Sequence, residues 1–159
     1  MNFADTNWLA STYIEPRADD QEAIRRRAIV ERFMRRHGGQ LVVSHIVLLE
    51  ARNVFARVTG QGRPPEWETL QADFDGRVYV DPMNWDILRR ECNDLFSKYA
   101  WKATIGTFDT AIVASAKLAG ATRVLSFDGT ARALATAEGF DIFPAILAPE
   151  KQLLSRLRR

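Results

Sequence analysis

The clearest signal of the fold is Arg123-Val124-Leu125-Ser126-Phe127-Asp128-Gly129, a short apolar strand that turns directly into a helix. The apolar run at its start is too short for a helix, whereas residues 130–138 beyond it have a helical pattern. Outward from this unit, the chain alternates short apolar strands with helices in both directions. We therefore predict an α/β domain built from βαβ units around a parallel sheet.

This alternation predicts five strands and eight helices. The strands are residues 1–5, 41–43, 78–80, 123–125 and 141–143. The helices are residues 7–14, 19–36, 46–58, 65–74, 85–99, 109–119, 130–138 and 149–157. A parallel sheet of this kind is covered by helices on both faces.

The length and composition are those of one globular domain. The 159 residues can bury a sizeable core, and no linker or repeat divides them, so we expect a single domain over residues 1–159. No stretch approaches the roughly 18 apolar residues of a membrane span. Asp5 stands where a signal peptide would be basic and then apolar, so we expect a cytoplasmic protein. The only cysteine, Cys92, excludes an internal disulfide and a thiolate metal cluster, and its helical context favours a packing role.

Two acidic residues directly follow predicted strands. Asp5 ends the first strand, and Asp128 follows the fourth. In doubly wound sheets, ligands bind beyond the carboxyl ends of the strands, where the strand order reverses. Both carboxylates are therefore candidates for a functional site, and the alternative for each is a helix N-cap.

Two further acids lie in unusually apolar helices. Glu50 is in the most apolar part of its helix, where a buried carboxylate needs a cation or a hydrogen-bond donor. Exposure or an ion pair with Arg52 or Arg57 is the alternative. Asp109 heads a helix that is apolar nearly all round. It caps that helix or, if Thr107 caps instead, it is free to point into a cleft.

Four carboxylates on different elements together predict a site for a hard cation. Mg²⁺ and Mn²⁺ prefer oxygen ligands and keep several waters. His37 precedes a helix stop and His45 adjoins a turn, so we expect neither to bind metal. The chain has no P-loop, GxGxxG, GxSxG or HExxH motif, which argues against nucleotide, acyl-transfer and zinc-protease chemistry.

Arginine outnumbers lysine heavily and occurs in clusters. The clusters are Arg25-Arg26-Arg27, Arg35-Arg36, Arg89-Arg90 and Arg156-Leu157-Arg158-Arg159. Arginine suits bidentate phosphate contacts, but such runs also form solvated helix faces beside acids. The composition therefore permits a nucleic-acid partner without requiring one.

Four segments resemble, in order, the four signatures of the PIN-domain family. They are Asp5-Thr6-Asn7, Ser44 with Leu48-Leu49-Glu50, Phe108-Asp109-Thr110-Ala111-Ile112-Val113-Ala114-Ser115-Ala116, and Val124-Leu125-Ser126-Phe127-Asp128. The match covers about residues 1–143. The resemblance implies a three-layer α/β/α sandwich whose five-stranded parallel sheet has the order 3-2-1-4-5. Residues 15–39 and 60–66 look longer than in the common small members, which leaves the subfamily open.

The resemblance also implies a catalytic site. Its acidic pocket would consist of four carboxylates, those of Asp5, Glu50, Asp109 and Asp128. Asp5 and Asp109 would bind Mg²⁺ or Mn²⁺ directly, and the other two would act through waters or on a second ion. The supporting residues would be Thr6, Asn7 and Ser126.

At this length, the chain resembles the VapC-like toxins of type II toxin–antitoxin systems. That implies an endoribonuclease that hydrolyses RNA, pairs as a homodimer and is held inactive by a small antitoxin that blocks the pocket. The candidates for RNA binding are Arg25, Arg26, Arg27, Arg89 and Arg90.

Three other functions remain open on the sequence. The chain could be a housekeeping PIN nuclease in RNA processing or decay, without any antitoxin. It could be a degenerate PIN scaffold that only binds partners. It could also use the same acids on small phosphate substrates.

Overall fold

A five-stranded parallel sheet forms the centre of the molecule. The computed structural model describes residues 1–74 and 76–159. The strands are β1 (Asn2–Ala4), β2 (Leu41–Ser44), β3 (Val78–Asp81), β4 (Arg123–Leu125) and β5 (Asp141–Phe143). Their order is β3-β2-β1-β4-β5 and every pairing is parallel, which confirms the predicted fold class and strand order.

Eight helices connect and cover these strands within the described residues. They are α1 (Thr6–Tyr13), α2 (Gln21–His37), α3 (His45–Thr59), α4 (Pro65–Ala72), α5 (Trp85–Tyr99), α6 (Thr107–Leu118), α7 (Gly129–Ala137) and α8 (Ala148–Leu157). Each helix begins and ends within about two residues of its predicted position. Asp20 caps α2 through the amide of Ala23, and Gly38 ends that helix with a positive φ, as the sequence indicated.

The three central strands, β2, β1 and β4, are buried on both faces. All four residues of β2 are buried, and so are Phe3 and Ala4 of β1 and Val124 and Leu125 of β4. Since neighbouring side chains of a strand point to opposite faces, helices must cover both sides of the sheet. Helix α1 packs against α2, α3 and α4, while α5 to α8 pack in succession against one another.

An aromatic cluster lies beneath the ends of β1 and β4. Trp8 is fully buried, stacks on Phe127 with ring centroids 5.4 Å apart, and makes edge contacts with Phe33 and Phe143. This cluster fixes the start of α1 against the segment that follows β4, because both segments contribute rings to it.

The last helix is tied to α7 by a buried ion pair. Arg132 of α7 and Glu150 of α8 form a salt bridge, and their side chains are 5% and 12% exposed. Glu150 also accepts a hydrogen bond from the amide of Leu147, so it caps α8 as well. Cys92 is partly buried and packs against the core, consistent with a packing role.

None of the helices within residues 1–74 and 76–159 is long and apolar enough to cross a membrane.

Candidate active site

The site lies beyond the carboxyl ends of β1 and β4, where the strand order reverses. Ala4 pairs with Leu125, so the residues that follow these two strands emerge side by side. The amide of Asp5 donates to the carbonyl of Leu125 at 3.0 Å, which extends the pairing by one residue. Asp128 emerges from the neighbouring turn and lines the same pocket as Asp5.

Asp5 is held by three donors. Its side chain caps α1 by accepting from the amide of Thr6 at 2.6 Å. Its other oxygen accepts from the Ser126 hydroxyl at 2.6 Å and from the Asn7 amide group at 3.1 Å. The cap that seemed an alternative to a functional role therefore coexists with a place in the pocket.

Ser126 and Asn7 connect Asp5 to the segment that carries Asp128. The Ser126 hydroxyl accepts from the amide of Asp128 at 3.0 Å, and Asn7 Oδ1 accepts from the amide of Phe127 at 2.8 Å. Asp128 itself caps α7 by accepting from the amide of Ala131 at 2.9 Å. The predicted supporting residues thus set the relative positions of two acids that are far apart in sequence.

Thr6 positions the carboxylate of Glu50 in a similar way. Its hydroxyl donates to Glu50 Oε2 at 2.5 Å, so α1 positions a carboxylate of α3. Glu50 is half-buried and forms no ion pair with a described residue. Arg52 instead donates to the carbonyl of Gly62 at 2.5 Å.

The start of α6 differs from the prediction. Thr107 is the first residue of the helix rather than its cap. The N-cap position is occupied by Gly106, and no side chain there accepts a hydrogen bond from the first amides of the helix. Asp109 lies in the first turn and is half-buried, so its carboxylate still faces the pocket. A Cβ atom at Gly106 would lie 2.5 Å from Asp109 Oδ2. This glycine therefore provides the space in which that carboxylate lies.

The four predicted acids line one pocket of about 670 Å³, and each comes from a different part of the chain. Burial, together with the charges of Glu50 and Asp128, raises the pKa of Asp5 to about 7, although hydrogen bonds from Ser126 and Thr6 oppose the shift. Burial, followed by the charges of Asp128 and Glu50, raises the pKa of Asp109 to about 6. The carboxylates are therefore close enough to destabilise one another's charge.

The donor set of this acidic pocket fits a hard cation that keeps part of its water shell. Neither histidine nor cysteine is among the lining residues, so the donors are oxygens. Among the described residues, no three acidic, histidine or cysteine side chains converge tightly enough to ligate one ion together. Mg²⁺ is commonly held by one or two carboxylates and several waters, which this spacing accommodates.

The rim of the acidic pocket contains charged residues that the sequence did not single out. Glu15, Arg17 and Glu66 line it, and Glu66 Oε2 is buried without a hydrogen-bond partner among the described residues. They lie next to or within residues 15–39 and 60–66, the two segments longer than in common PIN domains. The length of these segments was the only sequence signal for them.

The predicted RNA-binding arginines lie in different environments. Arg26 lines the acidic pocket, and its guanidinium lies 5.3 Å from the centre of the Phe127 ring. Arg25 does not line the acidic pocket, although its partner Glu22 does, and Arg27 lines a separate pocket of about 770 Å³. Arg89 and Arg90 are exposed on α5 and do not line the acidic pocket.

The fold is shared with solved structures of low sequence identity. The Mycobacterium tuberculosis toxin VapC20, described as cleaving the sarcin–ricin loop, is 18% identical over 88% of this chain and 96% of its own, with a TM-score of 0.65. FitAB bound to a DNA fragment is 17% identical over 90% of this chain and 94% of its own, with a TM-score of 0.61. A toxin–antitoxin complex from Klebsiella pneumoniae is 17% identical over 94% of this chain and 98% of its own, with a TM-score of 0.56.

Sequence comparison identifies the family. Among curated proteins, none matches this chain significantly. The sequence profile of the PIN domain, however, matches residues 3–137, which include all four acids of the pocket. With that match and its sheet order, the chain belongs to the PIN domain family, a family of nucleases.

Proposed function

We propose that this protein is a metal-dependent endoribonuclease and the toxin of a toxin–antitoxin pair. The observation that carries the proposal is the convergence of Asp5, Glu50, Asp109 and Asp128 on one pocket, where burial and mutual charge raise two of their pKa values. A degenerate scaffold would have no reason to retain such unfavourable charges, because clustered buried acids cost stability unless a cation offsets them.

In the proposed site, Asp5 and Asp109 hold Mg²⁺ or Mn²⁺, and Glu50 and Asp128 act through waters or on a second ion. A bound ion lowers the pKa of a coordinated water, orients the scissile phosphate and stabilises the charge of the pentavalent transition state. Glu50, oriented by the Thr6 hydroxyl, is placed to orient the attacking water. Ser126 keeps Asp5 directed into the pocket.

Of the five predicted RNA-binding arginines, we assign the contact with the RNA backbone to Arg26. It lines the acidic pocket, and only its Nε bonds to Glu22, at 2.9 Å. Stacking over Phe127, next to Asp128, restrains the guanidinium while its terminal nitrogens remain available for a phosphate. Such a cation would offset the repulsion between the acids and the RNA.

The antitoxin and the homodimer are supported by other features. The folds most similar in the comparison include a toxin and a toxin–antitoxin complex. The acidic pocket would accept an arginine or lysine of an inhibitor, since such a side chain supplies the charge of the metal. Trp85 and Ile87 are large apolar side chains exposed in the first turn of α5, and they would supply a surface for pairing.

Cleavage assays with purified variants test the nuclease. Asp5→Asn and Asp109→Asn should abolish cleavage of an RNA oligomer, and EDTA should abolish cleavage by the wild type. Asp94→Asn is a matched control, because Asp94 is exposed on α5 and does not line the acidic pocket. Full activity of either site variant would refute the metal site. Activity on a chromogenic phosphodiester but not on RNA would favour a small phosphate substrate.

Co-expression tests the toxin assignment. A small protein encoded by the adjacent gene should co-purify with this chain and inhibit it. Replacing an inhibitory arginine or lysine of that partner with alanine should restore cleavage. If cells express the chain alone without harm, yet the purified protein degrades RNA efficiently, the housekeeping nuclease replaces the toxin.

A further inference from the structure

A second cationic surface lies along α8 and at its C-terminal end, and none of its residues lines the acidic pocket. Lys151 lies near the start of α8, and Arg158 and Arg159 follow its last residue. Trp101 and Lys102 adjoin that end, because Lys102 Nζ donates to the carbonyl of Leu157. We call these five residues the α8 surface.

The cations of the α8 surface are not neutralised by described acids. Lys151, Arg158 and Arg159 lie together around a shallow depression, and none of them is in an ion pair with a described residue. In contrast, the arginines of residues 25–27 are all paired with glutamates. The acid Glu138 follows α7, and its side chain is only 6% exposed. Its charge is offset by Lys98 and Lys117, which are not part of the α8 surface. The α8 surface therefore keeps a positive charge.

An exposed indole ring adjoins these cations. Trp101 is 76% exposed, the most exposed of the large apolar side chains described. Its ring nitrogen donates to the carbonyl of Ser97 at 3.2 Å, which restrains the ring. Lys102 connects the ring to α8, since its Nζ lies 5.4 Å from the ring centre and donates to the carbonyl of Leu157 at 3.0 Å. An exposed, restrained aromatic ring beside cations is suited to stacking on an unpaired base.

We propose that the α8 surface binds a single-stranded segment of RNA, outside the site of cleavage. Lys151, Arg158 and Arg159 contact the phosphates, and a base stacks on Trp101. Stacking on one face of a ring tolerates any base, so the surface contributes affinity rather than sequence preference. The proposal rests on the proposed function only in taking RNA as the ligand, because the contacts themselves require no metal.

Binding without metal separates this surface from the acidic pocket. In EDTA, the clustered acids repel phosphates, so the remaining affinity for RNA reports contacts elsewhere. We would measure fluorescence anisotropy of a labelled 12-nucleotide single-stranded RNA with the full chain, over a range of salt concentrations. The double variant Arg158→Ala/Arg159→Ala should weaken binding about tenfold or more. It should also reduce the slope of log K against log salt by about 1.4, since each phosphate contact in a single strand contributes about 0.7.

Matched controls distinguish local contacts from a general loss of charge. Arg35→Ala/Arg36→Ala removes the same charge from exposed positions on α2 and should change affinity less than twofold. Trp101→Ala should weaken binding at least about fivefold, because one stacked base contributes about 1 kcal/mol or more. Tyr79→Ala removes an aromatic ring that is 41% exposed on β3 and should have little effect.

Three results would overturn the proposal. The first is an undetectable affinity for RNA in EDTA. The second is an equal loss of RNA affinity in the α8 variants and in their controls. The third is tighter binding to duplex DNA than to single-stranded RNA of the same length. Cleavage with Mn²⁺ is measured separately. Metal-independent binding through the α8 surface without any cleavage would refute the proposed nuclease alone, whereas cleavage with unchanged binding in the α8 variants would refute this surface alone.

Discussion

In the metal-free protein, replacing Asp5 with asparagine should increase the free energy of unfolding relative to the wild type, and this increase should be larger at neutral pH than at acidic pH. The side chain is 3% exposed, and its pKa rises from 3.8 to about 7 in the folded protein. Between these values the native state binds a proton that the unfolded state has released. The stability of the wild type therefore falls as the pH rises through this window. Asparagine cannot ionise, so the variant avoids this loss.

The size of the effect follows from the shift in pKa. Each pH unit between 5 and 7 costs the wild type about 1.4 kcal/mol, and the cost levels off above the folded pKa. The free energy of unfolding of Asp5→Asn, minus that of the wild type, should thus increase by roughly 2–3 kcal/mol between pH 5 and pH 7.5. For a chain of this length, that corresponds to roughly 5–10 °C in the difference of melting temperatures. The hydrogen bonds that Asp5 accepts from Ser126 and Thr6 are already included in this shift in pKa, because they favour the ionised carboxylate.

Thermal unfolding in EDTA, followed by circular dichroism at several pH values, measures this difference. Asp94→Asn is the control, since it makes the same chemical change at an exposed position on α5, outside the acidic pocket. Melting temperatures of Asp5→Asn and wild type that run parallel from pH 5 to pH 7.5 would refute the unfavourable ionisation of Asp5. The acidic pocket would then not be electrostatically strained.

Three further predictions concern the acidic pocket, the buried ion pair and the hydroxyl of Thr6. Millimolar Mn²⁺ should raise the melting temperature more at pH 7.5 than at pH 5, and cleavage should slow below pH 7, because protons compete with the metal for Asp5 and Asp109. Equal shifts of the melting temperature at both pH values, or cleavage rates independent of pH, would contradict this. Glu150→Ala should cost about 3–5 kcal/mol in urea unfolding, since it leaves Arg132 buried without its partner, and the further change Arg132→Met should restore most of this stability. Thr6→Val should reduce kcat at least about tenfold, by analogy with the loss of other positioned donors, while Thr6→Ser should keep it; equal rates in the two variants would exclude a positioning role for the hydroxyl.

The sequence predicted the elements of the fold because their signals are local. Apolar runs of three to five residues, separated by helical patterns and by glycine or capping residues, indicated every strand and helix within about two residues. The four acids were also recognisable from their positions after strands or in apolar helices. The order of the strands was not local information, and it came from the resemblance of the motifs to a known family.

The detailed contacts of the site were beyond local signals. Asp5 and Ser126 are 121 residues apart, and Thr6 and Glu50 are 44 apart, so these hydrogen bonds exist only because the parallel strands bring their ends together. The role of Gly106 was hidden for a different reason. Its φ is −71°, which any residue adopts, and only the position of the Asp109 carboxylate explains the need for space.

The arginines show most clearly how sequence and tertiary structure divide the information. From the sequence alone, Arg25, Arg26 and Arg27 are equivalent members of a basic cluster, and their type determines only that they can bind phosphate. On a helix, successive residues point about 100° apart, so consecutive arginines cannot share one environment. Packing of α2 against α1 directs Arg26 alone of the three towards the acidic pocket. Composition and local pattern thus determined the elements of the fold and the chemistry of the acids, whereas the direction of each side chain depended on how distant elements pack.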